Sequence, residues 1–263
     1  MWIKKTCIVL AGTLLPSLVI TSLVQAEDVK GSLSILYSPH TTDLSAPGYL
    51  QSLGQLAIDH QNKGNEYYGF QGEVNYGKYL LSIDYLSGTS DRIPGALNTD
   101  AGGSFIKDSF NPLSYESSET LEISSGYSIL GGGSDDKLAA TVGYFRMWAS
   151  PAISPPNWYD GLEIGLKGKY SVYKSLILTG KLGYLPDVSV HGYMTNPPAH
   201  PDRPYMTGKS MMIYTIGAEV PIGADISVIG GYKSVRAVNK VVEDGSEAVV
   251  KFTGYYVGGS YNF

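Results

Sequence analysis

The chain has 263 residues, with 19 Lys and Arg against 24 Asp and Glu, and a formal net charge of −5. This mild acidity excludes the basic excess expected of a nucleic-acid-binding protein. The composition includes 32 Gly, 21 Tyr and a single cysteine. After residue 26, no stretch approaches the roughly 20 apolar residues of a membrane helix, which excludes a helical membrane domain there.

The first 26 residues have the three parts of an export signal. Two lysines form the charged region, an apolar stretch runs from Cys7 to Val24, and Ala26 ends a small-residue cleavage site. We therefore predict a cleaved signal peptide over 1–26 and one mature domain over 27–263; an uncleaved anchor is the alternative. The signal contains the only cysteine and two of the 19 basic residues, so the mature chain has no disulfide and a formal charge of −7.

The mature chain divides into ten segments in which apolar or aromatic residues alternate with polar or small ones. A period of two is typical of a β-strand with one face in an apolar environment. The predicted strands cover residues 31–38, 66–76, 79–88, 118–130, 137–149, 161–172, 175–191, 211–220, 225–236 and 251–263. Short and long connections alternate between them, as in a transmembrane barrel with short turns at one end and long loops at the other.

The fifth segment departs from this alternation. Arg146 falls on its apolar face, whereas Phe145 and Met147 fall on the other face. Elsewhere, aromatic residues lie near the two ends of the apolar face, as the interfacial girdles of membrane barrels do. They are Tyr76, Tyr79, Tyr127, Tyr170, Tyr261 and Phe263 beside the short turns, and Tyr68, Tyr85, Trp148, Tyr184 and Tyr232 toward the long loops.

The sequence thus predicts an all-β protein, a ten-stranded antiparallel up-and-down transmembrane β-barrel. A secreted β-sandwich is the alternative, but its core would be dominated by branched residues and not by Tyr. The last segment agrees with the barrel. Its apolar positions resemble the closing strand and assembly signal of bacterial outer-membrane barrels; they are Tyr255, Val257, Gly259, Tyr261 and the terminal Phe263.

The predicted inward face carries nine ionisable side chains at membrane depth. They are Glu73, Asp84, Glu122, Glu163, Lys167, Lys169, Lys181, Glu219 and Lys233. Charges in a narrow lumen are costly unless they pair or stay hydrated, and barrels near eight strands are filled by side chains. We therefore expect a charged network that plugs the barrel; a narrow passive pore for ions or small solutes is the alternative.

The outline resembles that of the omptins, outer-membrane endopeptidases with ten-stranded barrels and long loops. Local similarities are the segment from Lys107 to Pro112 and the strand pair over 159–184. The resemblance implies the barrel and an acidic Asp-x-Asp pair plus an Asp-x-His pair. No Asp-x-Asp occurs over 88–117, where Asp108 matches an acidic position at best, and Asp187 and His191 are four residues apart, about 13 Å along a strand. The protease activity is therefore not expected.

Ser189 and His191 are two residues apart, near enough for a histidine to activate a hydroxyl. Some outer-membrane lipid deacylases use a His and a Ser with this spacing on their lipid-facing side. The alternation of the seventh segment predicts that both side chains face inward here. A lipid-modifying or omptin-like hydrolase is accordingly the second alternative, and no catalytic residue is assigned.

Taken together, these patterns predict an outer-membrane barrel with a structural or surface-interaction role and no cofactor or metal. Both termini are expected in the periplasm and the long loops outside the cell. Expected partners are outer-membrane lipid, lipopolysaccharide and the barrel-assembly machinery, with a monomeric state and no nucleic acid. Basic residues at the outer rim are candidates for lipopolysaccharide phosphates: Lys107, Arg203, Arg236 and Lys240.

Overall fold

The computed structural model describes residues 29–45, 60–89, 115–131, 136–151, 157–173, 175–191, 206–242 and 245–263. These residues form eleven strands. They are β1 (Val29–Ser45), β2 (His60–Tyr76), β3 (Tyr79–Thr89), β4 (Tyr115–Leu130), β5 (Lys137–Pro151), β6 (Asn157–Tyr173), β7 (Leu176–Leu185), β8 (Ser189–His191), β9 (Met206–Pro221), β10 (Ile226–Val241) and β11 (Glu247–Asn262). In the described part of the chain, no helix is long and apolar enough to cross a membrane.

The strands form one closed antiparallel sheet. Consecutive strands from β1 to β7 pair with each other, β9 pairs with β7 and β10, β10 pairs with β11, and β1 pairs with β11. The short strand β8 pairs with β6 beyond the end of β7, so β7 and β8 are two parts of one wall strand and the barrel has ten strands. Because the sheet closes on itself, no edge strand is left unpaired in the wall. The predicted all-β ten-stranded barrel is confirmed.

The closing seam joins the first and last strands. Leu33 lies opposite Tyr261, and Ser32 lies opposite Asn262. Beyond β11, the backbone N–H of Phe263 donates to the Gly31 carbonyl at 2.9 Å, and the Gly31 N–H donates to the Phe263 carbonyl at 2.7 Å. The terminal residue therefore completes the sheet at the short-turn end.

The outward face is apolar and aromatic, as the alternation predicts. Ile35, Leu162 and Ile216 lie at mid-wall and are 74%, 70% and 66% exposed, which only a lipid environment tolerates in a band around the whole barrel. Tyr79 and Tyr127 make an edge-to-face pair near the short turns, and other tyrosines form pairs toward the long loops. The fifth segment keeps its phase, since Phe145 and Met147 are buried inward and Arg146 lies on the outer wall.

The strands extend farther toward the long loops than predicted. Strand β1 continues to Ser45 and pairs with β11 as far as Val249, whereas the alternation indicates an end near Ser38. Above the apolar belt the backbone pairing continues, but the apolar period of the sequence disappears. Hydrophobic alternation locates the membrane-embedded part of a strand and not its end.

The seventh wall strand contains an irregularity that the sequence prediction missed. Across β6 and β7, Ile164 lies opposite Tyr184, but across β6 and β8, Trp158 lies opposite His191, which is a shift of one residue. A bend at 186–187 absorbs the extra residue. One added residue exchanges the two faces of a strand. The predicted inward orientation of Ser189 and His191 is therefore wrong, because both lie on the outer wall.

Candidate functional sites: the lumen and the outer-wall cluster

The inward face carries a lower charge layer near the short turns. Glu73 of β2 contacts three lysines from the paired strands β5 and β6. The Nζ–O distances are 2.6 Å to Lys137, 2.7 Å to Lys167 and 3.9 Å to Lys169. Lys169 also lies 3.7 Å from the Glu219 carboxylate. Both glutamates are buried. Such burial is tolerated because each carboxylate has cationic partners.

An upper charge layer lies at mid-barrel. Lys181 contacts two carboxylates, Glu122 and Glu163, with 2.6 Å between its Nζ atom and Oε1 of Glu163. Across the lumen, Lys233 Nζ donates to Oδ1 of Asp84 at 2.8 Å. The Glu163 and Lys233 side chains are 1% and 3% exposed. These pairs join strands from different parts of the wall through the interior.

Neutral polar groups complete the two layers. Asn75 donates to Glu73 at 3.0 Å, and Asn262 donates to Glu219 at 3.2 Å. The nine ionisable residues singled out in the sequence all line this interior. Lys137 is a tenth that the sequence analysis did not select, although it shares the odd-numbered inward positions of its strand. With it, five acids face five lysines among the described residues of the two layers.

The long-loop half of the lumen is lined by a cluster of buried apolar side chains. The side chains of this apolar layer come from β2 and from β5 onward around the barrel: Tyr67, Phe145, Met147, Tyr159, Leu185, Val188, Met211, Ile213, Val235, Ala237, Val250 and Phe252. Each is at most 3% exposed. The ring of His40 stacks on Phe252 at 4.1 Å and adds to this layer. The alternation of the sequence predicts only charged and polar side chains in the lumen, and this apolar cluster was not predicted.

Two cavities that share Glu73 and Lys169 in their lining lie in the described part of the lumen. A cavity of about 100 Å³ lies among the charged groups, bordered by Glu73, Glu122 and Lys181. A wider recess of about 630 Å³ lies at the short-turn mouth, bordered by Lys30, Asn75 and other polar groups. The apolar layer lies between this recess and the long-loop end of the barrel.

A second polar group lies on the outer wall, near the long-loop girdle. Asp160 of β6 lies opposite Ser189 of β8 in the register. Its Oδ1 atom is 3.2 Å from Nε2 of His191, and its Oδ2 atom accepts a 2.8 Å hydrogen bond from the Tyr144 hydroxyl. Ser189 and His191 are exposed. We call Asp160, Ser189 and His191 the outer-wall cluster.

Aromatic side chains border the outer-wall cluster. The imidazole of His191 stacks on the indole of Trp158, with ring centres 5.2 Å apart and planes 17° apart. The Arg146 guanidinium lies over Trp148 at 4.6 Å and over Trp158 at 5.4 Å. These contacts explain how an arginine is held on the apolar face of β5, since aromatic faces attract a guanidinium.

The other residues singled out in the sequence are placed as follows. The apolar positions of β11 lie on the outer wall, where Tyr255 is 70% exposed and Tyr261 stacks against Phe263. Asp187 is exposed in the bend after β7 and is not part of the outer-wall cluster. Residues 1–26, the segment 107–112 and Arg203 lie outside the described residues. Among the described residues, no three His, Cys, Asp or Glu side chains form a group suited to a metal.

These observations define the class of the protein. A closed ten-stranded antiparallel sheet, an apolar outer wall and two aromatic girdles are the features of an integral β-barrel of the bacterial outer membrane. We therefore describe the chain as an outer-membrane β-barrel protein.

Comparison with known proteins agrees in shape. No family model and no curated protein matches the chain. It is similar to the solved structure of the outer-membrane protease OmpT of Escherichia coli, with a TM-score of 0.49, 12% identity, and 91% of this chain and 98% of that chain covered. It is also similar to neisserial surface protein A (TM-score 0.35, 11% identity, 88% and 97% covered) and to Ail of Yersinia pestis (0.31, 11%, 90% and 99%). At these values the likeness concerns overall shape and carries nothing about activity.

Proposed function

We propose that this protein is a non-conducting outer-membrane barrel whose filled interior makes it a rigid scaffold for its outer wall and loops. The observation that carries the proposal is the apolar layer of the lumen. Phe145, Met147 and Phe252 are each at most 3% exposed there. A packed layer of this kind leaves no continuous hydrated route for an ion, whose dehydration is costly.

The charge layers support the same proposal. In a conducting pore, wall charges face water and ions pass between them. Here Lys181 contacts two carboxylates, and Glu73 contacts three lysines. The contacts of Glu73 with its lysines and of Lys181 with Glu122 join strands that are not neighbours, and they brace the wall from inside because each contact fixes two strands at once. The passive pore for ions or small solutes is the alternative that conductance would reveal.

We also propose that the short turns face the periplasm and the long loops face the exterior. The support is the position of the two described ends of the wall. Val29 lies opposite Tyr76 at the first short turn, and Phe263 pairs with Gly31 beside it. Both described ends of the wall thus lie at the short-turn mouth, where a chain delivered from the periplasm and assembled by the barrel-assembly machinery would leave them.

Contact with lipopolysaccharide is a further part of this proposal. Arg236 and Lys240 are exposed near the long-loop end of β10, where they can meet lipid phosphates. A monomer is proposed because the wall closes without a partner chain.

Planar-bilayer recording tests the scaffold proposal. The mature protein is refolded, and insertion is verified by the shift in gel mobility between unheated and boiled samples. We expect no stepwise current from membranes that contain the folded barrel, with a known porin as the positive control. Steady, stepwise channels that scale with the amount of inserted protein would reject the filled lumen and favour the pore.

A further inference from the structure

We propose that the outer-wall cluster is a hydrolytic site that cleaves a carboxylic ester of a phosphate-bearing membrane lipid. Ser189 is the nucleophile, His191 is the general base, and Asp160 is a positioning residue. This activity goes beyond the scaffold role and does not depend on it, since the cluster lies outside the lumen.

The first support is that three residues of a nucleophile–base–acid set share one face. Ser189 and His191 are neighbours on the outer face of β8, about 7 Å apart along the strand, and Asp160 lies opposite Ser189 on β6. The one-residue shift at the bend places the pair outward. Without it, the serine and histidine would point into the lumen, away from any lipid.

The second support is the orientation of the imidazole. Oδ1 of Asp160 lies 3.2 Å from Nε2 of His191, and the ring rests flat on Trp158. Nδ1 is therefore the nitrogen left to serve Ser189. The Tyr144 hydroxyl fixes the other carboxylate oxygen at 2.8 Å. Oδ1 of Asp160 has no hydrogen-bond partner among the described residues, so it can accept from Nε2–H of His191 once the imidazole turns toward it. A base held in this way is the arrangement that activates a serine hydroxyl.

The third support is the depth of the site in the membrane. The outer-wall cluster lies beside Tyr144, Trp148 and Trp158, in the aromatic girdle at the long-loop end. Aromatic girdles mark the level of lipid headgroups. The ester bonds that join acyl chains to a headgroup lie near this level, so a serine on the outer wall meets them without extracting the lipid.

The Arg146 guanidinium indicates which lipids fit. It lies over two indoles beside the cluster and opposite Asp160 in the β5–β6 register, and its Nε atom is buried without a hydrogen-bond partner among the described residues. A planar guanidinium is suited to bind a phosphate through two parallel hydrogen bonds. The shared chemistry is thus an ester lipid with a phosphate in its headgroup, either a glycerophospholipid or lipopolysaccharide.

The reaction consumes only the lipid and water. The Ser189 Oγ atom bonds to the ester carbonyl carbon while its proton passes to His191. The carbon–oxygen bond to the lipid alcohol then breaks, and the alcohol leaves with that proton. Water, deprotonated by His191, attacks the acyl-serine, and the fatty acid leaves as the serine hydroxyl is restored.

The test uses the folded mature protein in two arms. One arm contains vesicles of phosphatidylethanolamine and phosphatidylglycerol, and the other contains lipopolysaccharide. Release of fatty acid is followed by mass spectrometry, and labelling of the wild type by a fluorophosphonate is mapped by peptide mass. We expect release in at least one arm and a label on Ser189. Ser189→Ala and His191→Asn should lower kcat on the order of 10³- to 10⁴-fold.

Matched variants distinguish roles. Ser125→Ala removes an exposed serine on the outer wall of β4 and should leave the rate unchanged. Asp160→Asn should lower kcat by about 100-fold or more with KM unchanged, whereas Arg146→Gln should raise KM. No fatty acid release in either arm by folded wild type, no label on Ser189, or equal release by Ser189→Ala would overturn the proposal.

Discussion

Lys181 is the residue on which the upper charge layer depends. It lies between Glu122 and Glu163, which come from different strands and are both buried. Two carboxylates near each other in a low-dielectric interior repel unless a cation lies between them. Lys181 therefore stabilises the folded barrel against the repulsion between the two buried carboxylates.

Replacing Lys181 by Met should destabilise the barrel by about 3–5 kcal/mol, because two buried carboxylates lose their counter-charge. The free energy of unfolding is measured by urea titration of the barrel in vesicles. Adding Glu122→Gln and Glu163→Gln to the variant should recover part of the loss. Lys251→Met, at an exposed position, is the control. A loss below about 1 kcal/mol for Lys181→Met would contradict this role.

Gly183 makes room for the Glu163 carboxylate. A methyl group there would lie 2.1 Å from Oε1 of Glu163, whereas one at Gly180 in the same strand would have its nearest contact at 3.8 Å. Gly183→Ala should therefore lower the free energy of unfolding by about 1–3 kcal/mol, and Gly180→Ala should be tolerated. Equal unfolding midpoints for the two variants in urea would show that the carboxylate moves away freely.

For a single residue, the sequence predicts which face of the wall the side chain occupies better than it predicts which other side chain it contacts. The parity of positions along each strand predicts that Asp84 and Lys233 face inward, and they do. Their 2.8 Å contact joins residues 149 positions apart across the lumen. Which inward groups meet depends on the stagger and tilt of all ten strands together, and no single strand carries that information.

At the scale of the element, the bend between β7 and β8 decides what the outer wall presents. The apolar alternation of β7 continues in sequence through Val188 without a visible interruption. A proline at 186 is the available signal, because it has no N–H to donate to the sheet and is confined to edges and bulges. A proline inside a predicted wall strand therefore indicates that the alternation of inward and outward residues is interrupted there. It does not indicate by how many residues the register shifts.

The last strand makes a second element-scale point, about assembly. Its terminal ring lies over Gly31, where a methyl group would approach the ring to 2.5 Å. Deleting Phe263, or replacing it with Lys, removes this contact and places a charge in the short-turn girdle. We expect most of the chain to remain unassembled and to be degraded in the periplasm. The heat-modifiable barrel is quantified in outer-membrane fractions, and a normal level would contradict the assignment of β11 as the assembly signal.

At the scale of the whole molecule, the protein has three zones along its axis. A recess opens at the short-turn mouth, charge layers follow, and the apolar layer lies in the long-loop half. The outer apolar wall and the ten-strand count follow from sequence alternation. The inner apolar layer does not, because the inward Phe145 and Met147 alternate with the outward Tyr144, Arg146 and Trp148, so large apolar or aromatic residues occur on both faces. Where both faces of a strand carry apolar residues, the period of two disappears from the sequence. Inward apolar side chains then cannot be told from an interrupted alternation.

The filled interior is tested most directly by cysteine accessibility, because the mature chain is predicted to contain no cysteine. Single variants Lys30→Cys, at the short-turn recess, and Ala237→Cys, in the apolar layer, are made with Cys7 replaced by Ser. Folded barrels are exposed to a water-soluble thiol reagent from both sides. We predict rapid labelling of the Lys30→Cys variant and labelling of the Ala237→Cys variant at least about 100-fold more slowly, since it requires local opening. Comparable rates at the two positions would show a water-filled lumen and contradict the account.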